Sequence, residues 1–358
     1  MNGNSHLYGE IEVGLRRVQV DAHEVELRIS DPASAGQIEP RTGYAHISLS
    51  ELQALRLDPA EYGQKLTDQV FQDTAVREFY RTNKATFESR GIDIRLRLLI
   101  GGSAPELHSI RWELLLDPDT RQPLATSERI VFSRFMFGED YRQISLPRKS
   151  ELRALIAVAA PNDTADFDLA TVDKAGEIAR AREALAGLNV TVVGEDTPLT
   201  PGRLIEAIRK GSNIVYLVCH GKLPNERPAC LYLQNEQGNT APVVAGDFAQ
   251  LIRELKDPPC LVVLASCESA SAEGISGAHS AFAPDLAAAG VPAVVAMQGK
   301  ITMETIRQAM PVFFRELVRD GRIDRAMAVA RGEVRARPDS WMPALFLRLK
   351  QGFIWYEP

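Results

Sequence analysis

The sequence is poor in cysteine: four residues in 358, all beyond position 218, at Cys219, Cys230, Cys260 and Cys267. That is too few for the disulfide framework of a small secreted domain, and it leaves buried fillers, metal ligands or a catalytic thiol as the roles to weigh. The intervals between them are uneven and include no C-x-x-C pair, so no metal site is expected. Long apolar runs are missing too. No window reaches the roughly 18 residues of a membrane span. The opening Met1-Asn-Gly-Asn-Ser-His6 lacks the charged start and apolar stretch of a signal peptide. A cytoplasmic protein without membrane contact is expected. Charge of one sign is not in excess, since 41 Lys and Arg stand against 47 Asp and Glu for a net charge of −6, which excludes a general basic footprint for nucleic acid. The sequence also has no G-x-x-x-x-G-K-[ST], G-x-G-x-x-G or H-E-x-x-H, so phosphate cradles and zinc-protease helices lose their usual signatures. Gly274-Ile-Ser-Gly277 lacks the spacing of a serine-hydrolase elbow.

What is there is a chain with 45% hydrophobic and 25% charged residues, a globular composition able to bury a sizeable core. At this length two domains, or one large domain with an elaborated half, are expected. The first part is mixed. Ile11–Val20 and Glu24–Ile29 alternate as a hairpin around Asp21-Ala-His23. Residues from Leu57 to Arg90 have helical spacing, Ile92–Ile100 alternates again before Gly101-Gly102, and Ile110–Pro118 and Ile130–Phe135 are short apolar runs. Around Pro147-Arg-Lys-Ser150 the texture changes, placing a boundary between an N-terminal mixed α/β subdomain, 1–147, and a second domain, 148–358.

Beyond that boundary continuous apolar strands alternate with helices. The strands are Leu152–Ala160, Val190–Val193, Asn213–His220, Cys260–Ala265, Pro292–Met297 and Leu345–Leu349. The helices lie near Lys174–Leu185, Pro201–Lys210, Asp247–Leu255, His279–Ala289, Thr302–Arg319 and Ile323–Arg337. Strands that are apolar along their whole length mean a mostly parallel sheet covered by helices on both faces, a three-layer α/β fold. In such sheets functional residues gather beyond the carboxyl ends of the strands. Two of those ends are reactive: Val218-Cys219 delivers His220 and Gly221, and Leu264-Ala265-Ser266 delivers Cys267. If the two strands are neighbours, an imidazole and a thiol emerge side by side. A nearby imidazolium and exposed N–H groups favour the thiolate, making the pair a nucleophile and a proton carrier. Gly221 removes a side chain where backbone must approach a substrate carbonyl, so its N–H and that of Cys267 are candidate oxyanion donors.

Three stretches then carry a resemblance: Ile110-Arg-Trp-Glu-Leu-Leu-Leu-Asp-Pro118, Val215-Tyr-Leu-Val-Cys-His-Gly221, and Leu264-Ala-Ser-Cys-Glu-Ser269 with Ala287-Ala-Ala-Gly-Val-Pro-Ala-Val-Val-Ala296 behind it. With the closing Trp341–Phe346 segment, the chain resembles the CHAT domains, bacterial relatives of caspases and separases, from about residue 90 to its end. The resemblance implies a caspase-like fold and a regulated cysteine endopeptidase, with His220 as general acid and base and Cys267 as nucleophile. It implies no cofactor, a protein substrate, and a sensor or repeat-containing regulatory partner in bacterial defence or signalling. One position departs from the family's better-known relatives. Two residues before the nucleophile, where caspases carry Gln and metacaspases Asp, this chain has Ala265. Asp247, Glu268 and Asp285 are other candidates for a substrate pocket. The Ser- and Ala-rich run after Cys267 reads as a mobile loop able to gate the site. Two further readings stay open on the same fold: a catalytically inactive interaction module, and a module that binds a small signalling molecule at the sheet edge.

Overall fold

The computed structural model describes residues 8–34, 36, 38–136, 144–222, 228–265 and 278–357, with side chains omitted at 278–281. The chain divides into two compact units, Met1–Phe135 and Met136–Pro358, so the position expected for a boundary, 147/148, falls inside the second.

In the first unit β1 (Tyr8–Gln19) and β2 (Ala22–Ser30) form the antiparallel hairpin that the alternation predicts, with Ile11 opposite Ile29 and Leu15 opposite Val25. The turn is closed by Asp21 at φ 56°, a left-handed conformation that Asp tolerates. β3 (Arg41–His46) adds to β2 antiparallel, whereas β4 (Asp93–Ile100) and β5 (Ile130–Phe135) extend from β1 in parallel. After the short α1 (Leu49–Ala54), the helical spacing over 57–90 is realised as two helices, α2 (Pro59–Val70) and α3 (Thr74–Ser89). The break has a local cause. The Asp73 carboxylate accepts the N–H groups of Ala75 and Val76 at 2.9 and 3.1 Å, capping a new helix. The helices and strands bury one apolar core that includes Leu15, Leu27, Leu66, Tyr80 and Trp112. The run Ile110–Pro118 is not extended: Trp112–Leu114 is a single 3₁₀ turn, and the Trp112 indole N–H donates to the Leu107 carbonyl at 2.8 Å.

Among the described residues the second unit carries five parallel strands: β6 (Arg153–Val158), β7 (Asn189–Val193), β8 (Ile214–Val218), and, after a separate antiparallel sheet of β9 (His220–Lys222), β10 (Cys230–Gln234) and β11 (Thr240–Val244), β12 (Leu261–Ala265) and β13 (Ala293–Met297). β14 (Pro343–Leu347) closes this group antiparallel to β13, giving the order β14-β13-β12-β8-β6-β7. Residue parity explains why these strands read as unbroken apolar runs. Ile156, Tyr216, Val218, Val263 and Ala265 pack toward α4 (Lys174–Ala184), α8 (Met303–Asp320) and α9 (Ile323–Glu333). Their neighbours Leu155, Leu217, Cys219 and Leu264 pack toward α5 (Pro201–Arg209), α6 (Ala245–Arg253) and α7 (Ala278–Ala288). With both faces covered, a buried Leu, Val or Ile on either parity contributes about 1.5–3 kcal/mol, so neither face tolerates polar alternation.

Candidate active site

The two strands that precede His220 and Cys267 in the chain are neighbours. β8 and β12 run parallel in register from Ile214 opposite Leu261 to Val218 opposite Ala265. The Cys219 N–H still donates to the Ala265 carbonyl, at 3.3 Å, and there the chain leaves the sheet. This corrects the reading of Asn213–His220 as one strand. His220 instead opens β9 and lies opposite Tyr232 of β10, because the backbone turns out of the parallel sheet to pair with a hairpin that the sequence did not announce.

His220 is 1% exposed. Its Nε2 lies 2.8 Å from the Ala170 carbonyl oxygen. A carbonyl only accepts, so Nε2 carries the proton and, in the neutral ring, Nδ1 holds the lone pair. Nδ1 is buried and bonds no described residue. Burial pushes the imidazole below its ordinary range; the bond to Ala170 opposes that shift and the Lys222 charge adds to it. The net effect is a neutral ring at pH 7 with one tethered N–H and one basic nitrogen, the state that a general base requires.

Ala170 is presented by a segment with several anchors. Asp163 accepts the backbone N–H and the hydroxyl of Thr240, each at 2.6 Å. Thr164–Phe167 makes one 3₁₀ turn, ended by Asp168 at φ 52°. Leu169 and Val172 are buried, 8% and 6% exposed, leaving the Ala170 carbonyl between them free to meet His220. The Phe167 ring meets Tyr232 edge-on, centroids 6.0 Å apart, and the Phe167 carbonyl accepts from the Lys222 ammonium. A polar cleft of about 510 Å³ opens beside this segment, lined in part by Asn162, Thr171, Lys174, Asp196 and Gln237.

Of the remaining sequence-predicted positions, Cys267 and Glu268 lie outside the described residues, as does the Ser- and Ala-rich run proposed as a gate. Gly221 is central in β9, opposite Leu231. Ala265 is 3% exposed and packs in the core with Val218. Asp247 is exposed in the first turn of α6, and Asp285 is exposed on α7. Two of the other thiols are held inert by burial. Burial raises the Cys219 thiol far above its ordinary range and pushes Cys260 up to about 12. Cys230 is half-buried. Sequence reasoning missed Ala170, Phe167, Lys222 and Tyr232. Ala170 acts through a carbonyl that any residue could supply, while the Gly221-Lys222 pair after His220 was in plain view. Among the described residues there is no group of three or more His, Cys, Asp or Glu able to hold a metal, and no helix long and apolar enough to cross a membrane.

A mostly parallel sheet covered by helices, with a histidine delivered where one central strand ends beside another, is the caspase-like three-layer α/β fold expected from the sequence. The model of the CHAT domain matches residues 60–349, and the chain belongs to that family. Among solved structures the chain is similar to the Arg specific cysteine proteinase gingipain R, at 14% identity over 78% of this chain and 68% of that one, with a TM-score of 0.45. It is also similar to a structure of the Saccharomyces cerevisiae separase–securin complex, at 12% identity over 89% of this chain and 20% of that one, with a TM-score of 0.41. No curated protein matches the chain.

Proposed function

We propose that the chain is a cysteine endopeptidase in which His220 and Cys267 act as a dyad. The observation that carries this reading is the pairing of Val218 with Ala265, together with the buried His220 ring whose Nδ1 lone pair bonds no described residue. His220 and Cys267 each stand two residues beyond a member of that pair. In the proposed reaction Nδ1 takes the Cys267 proton and the thiolate sulfur attacks the scissile carbonyl carbon. The N–H groups of Gly221 and Cys267 hold the oxyanion. The imidazolium returns its proton to the departing amine, and water hydrolyses the thioester. The substrate is a protein. Family membership further supports a regulated effector in bacterial defence or signalling that answers to a sensor or repeat-containing partner.

The test is labelling with a thiol-reactive peptidyl probe, followed by peptide mapping and turnover assays. Wild-type protein is expected to be modified at Cys267 in preference to Cys219, Cys230 and Cys260, and Cys267→Ala and His220→Ala each to abolish proteolysis with the fold intact. Because the two residues act as one unit, the double variant should lose little more than either single one. Full turnover in Cys267→Ala would overturn the assignment. A folded wild-type protein that is neither labelled nor active, even with a partner present, would favour an inactive interaction module.

A further inference from the structure

The contacts around β9 raise the question of what holds Ala170 where His220 needs it. The segment 163–172 is tied to the molecule at four kinds of point. At its start Asp163 is bonded to Thr240. At its end Leu169 and Val172 are buried. In the middle the Phe167 ring rests on Tyr232, and the Phe167 carbonyl accepts from the Lys222 ammonium. Of these only the Lys222 bond starts from the strand that carries His220 itself, two residues further on in β9. It therefore links the imidazole's own backbone to the backbone that must meet the imidazole. Lys222 is half-buried, which strengthens a charge-assisted bond to a carbonyl relative to one in water.

We propose that Lys222 is a positioning residue for the His220–Cys267 dyad: by holding the Phe167 carbonyl it fixes the 163–172 segment so that the Ala170 carbonyl accepts from His220 Nε2, leaving Nδ1 as the basic nitrogen. The proposal rests on the peptidase reading for its meaning in catalysis, but the tautomer it sets is a property of the folded chain with or without turnover. Without the Lys222 bond, Phe167 keeps its ring contact to Tyr232 and loses its polar tether. The Ala170 carbonyl then becomes free to move away, and the tautomer with the proton on Nδ1, useless as a base toward a thiol, becomes accessible. The two neutral tautomers of a histidine differ little in free energy, so a modest loosening is sufficient to admit a detectable share of the second.

The experiment reads the ring nitrogens of His220 by NMR on protein labelled with ¹⁵N at histidine, His220 being assigned by its loss in His220→Gln. Wild type is expected to show a single neutral tautomer with the proton on Nε2. Lys222→Met should show both tautomers. Its turnover number should fall roughly ten- to a hundredfold with KM little changed, the size of loss that a misplaced catalytic group brings. Lys222→Arg, which keeps a charged donor, should restore the single tautomer and most of the turnover. If Lys222→Met does not fold, Lys222→Gln serves in its place, since a neutral amide held less firmly should still admit a detectable fraction of the second tautomer. A folded Lys222→Met or Lys222→Gln protein with the wild-type tautomer unmixed overturns the proposal, whatever its activity. Mixed tautomers in the variant of a chain that turns over no peptide, even with a partner present, would uphold the positioning role and sink the peptidase reading instead.

Discussion

The buried ion pair of the first unit gives the most quantitative test of how this fold is held. Glu113 and Arg134 are each 1% exposed, and their groups meet twice, Arg134 Nε donating to Glu113 Oε1 at 3.1 Å and Nη2 to Oε2 at 2.5 Å. Arg134 Nη1 also donates to the His108 carbonyl at 3.2 Å, so the guanidinium ties the turn that carries Glu113 to the Pro105–Ser109 turn, whose Leu107 carbonyl accepts from the Trp112 indole. Glu113→Gln keeps the shape but removes the carboxylate charge that the buried guanidinium meets twice. Breaking a buried pair in this one-sided way costs about 3–5 kcal/mol, a fifth or more of the roughly 5–15 kcal/mol that a domain has in total. At about 2–4 °C per kcal/mol for a domain of this class, the melting temperature should fall by roughly 6–20 °C. Replacing both partners by apolar residues of similar volume, Glu113→Leu with Arg134→Met, should cost far less than the two single changes added together, because no uncompensated charge is left behind. Urea titrations of the four proteins at pH 7 measure the cycle. A Glu113→Gln protein within about 1 kcal/mol of wild type, or single costs that simply add, would show that the pair is not the buried, dry interaction that its geometry describes.

Two further outcomes are expected. Burial, with the Arg134 charge adding to it, lowers His108 from 6.5 to about 4. The unfolded chain therefore binds this proton first as pH falls, so up to about 3 kcal/mol of stability present above pH 6.5 is lost between pH 6.5 and 4; His108→Gln should flatten that part of the stability profile, and an unchanged slope would refute the argument. For selectivity, Ala265 offers neither charge nor amide at the position two residues before Cys267, so profiling active enzyme on a peptide library should give no strict preference for Asp, and a clean, exclusive Asp preference at P1 would show the reasoning wrong.

Much of this architecture was legible because burial on two faces leaves a strong mark. Leu152–Ala160, Cys260–Ala265 and Pro292–Met297 carry hardly a polar residue, and only a sheet covered on both sides asks for that. The hairpin of β1 and β2 was equally plain, since one face of its alternation is core. The departure of the chain from the sheet at Cys219 was not. His220 continues an apolar run without a Gly or Pro before it, and what turns it away is the pairing of Tyr232 with His220 and of Cys230 with Lys222, a contact between residues distant in sequence. The hairpin itself, Cys230–Gln234 and Thr240–Val244 around a turn with Gly238 at φ 82°, is short enough for its alternation to pass unnoticed.

The same contrast runs through the site. A nucleophile or base announces itself by residue type, because only a few side chains do that chemistry. The group that selects the tautomer of a base need have no side chain at all. Ala170 contributes a carbonyl, and its identity in the sequence says nothing beyond being small enough to fit between the buried Leu169 and Val172. What can be read from sequence is instead the pair of apolar anchors on either side of it, whose burial fixes the direction of the peptide group between them. Residues that set the tautomer of a buried histidine are therefore to be sought where short loops carry two core side chains around a small residue, next to the end of the strand that precedes the imidazole. In this chain that rule leads to 169–172, and from there to the Phe167 carbonyl and the lysine that holds it.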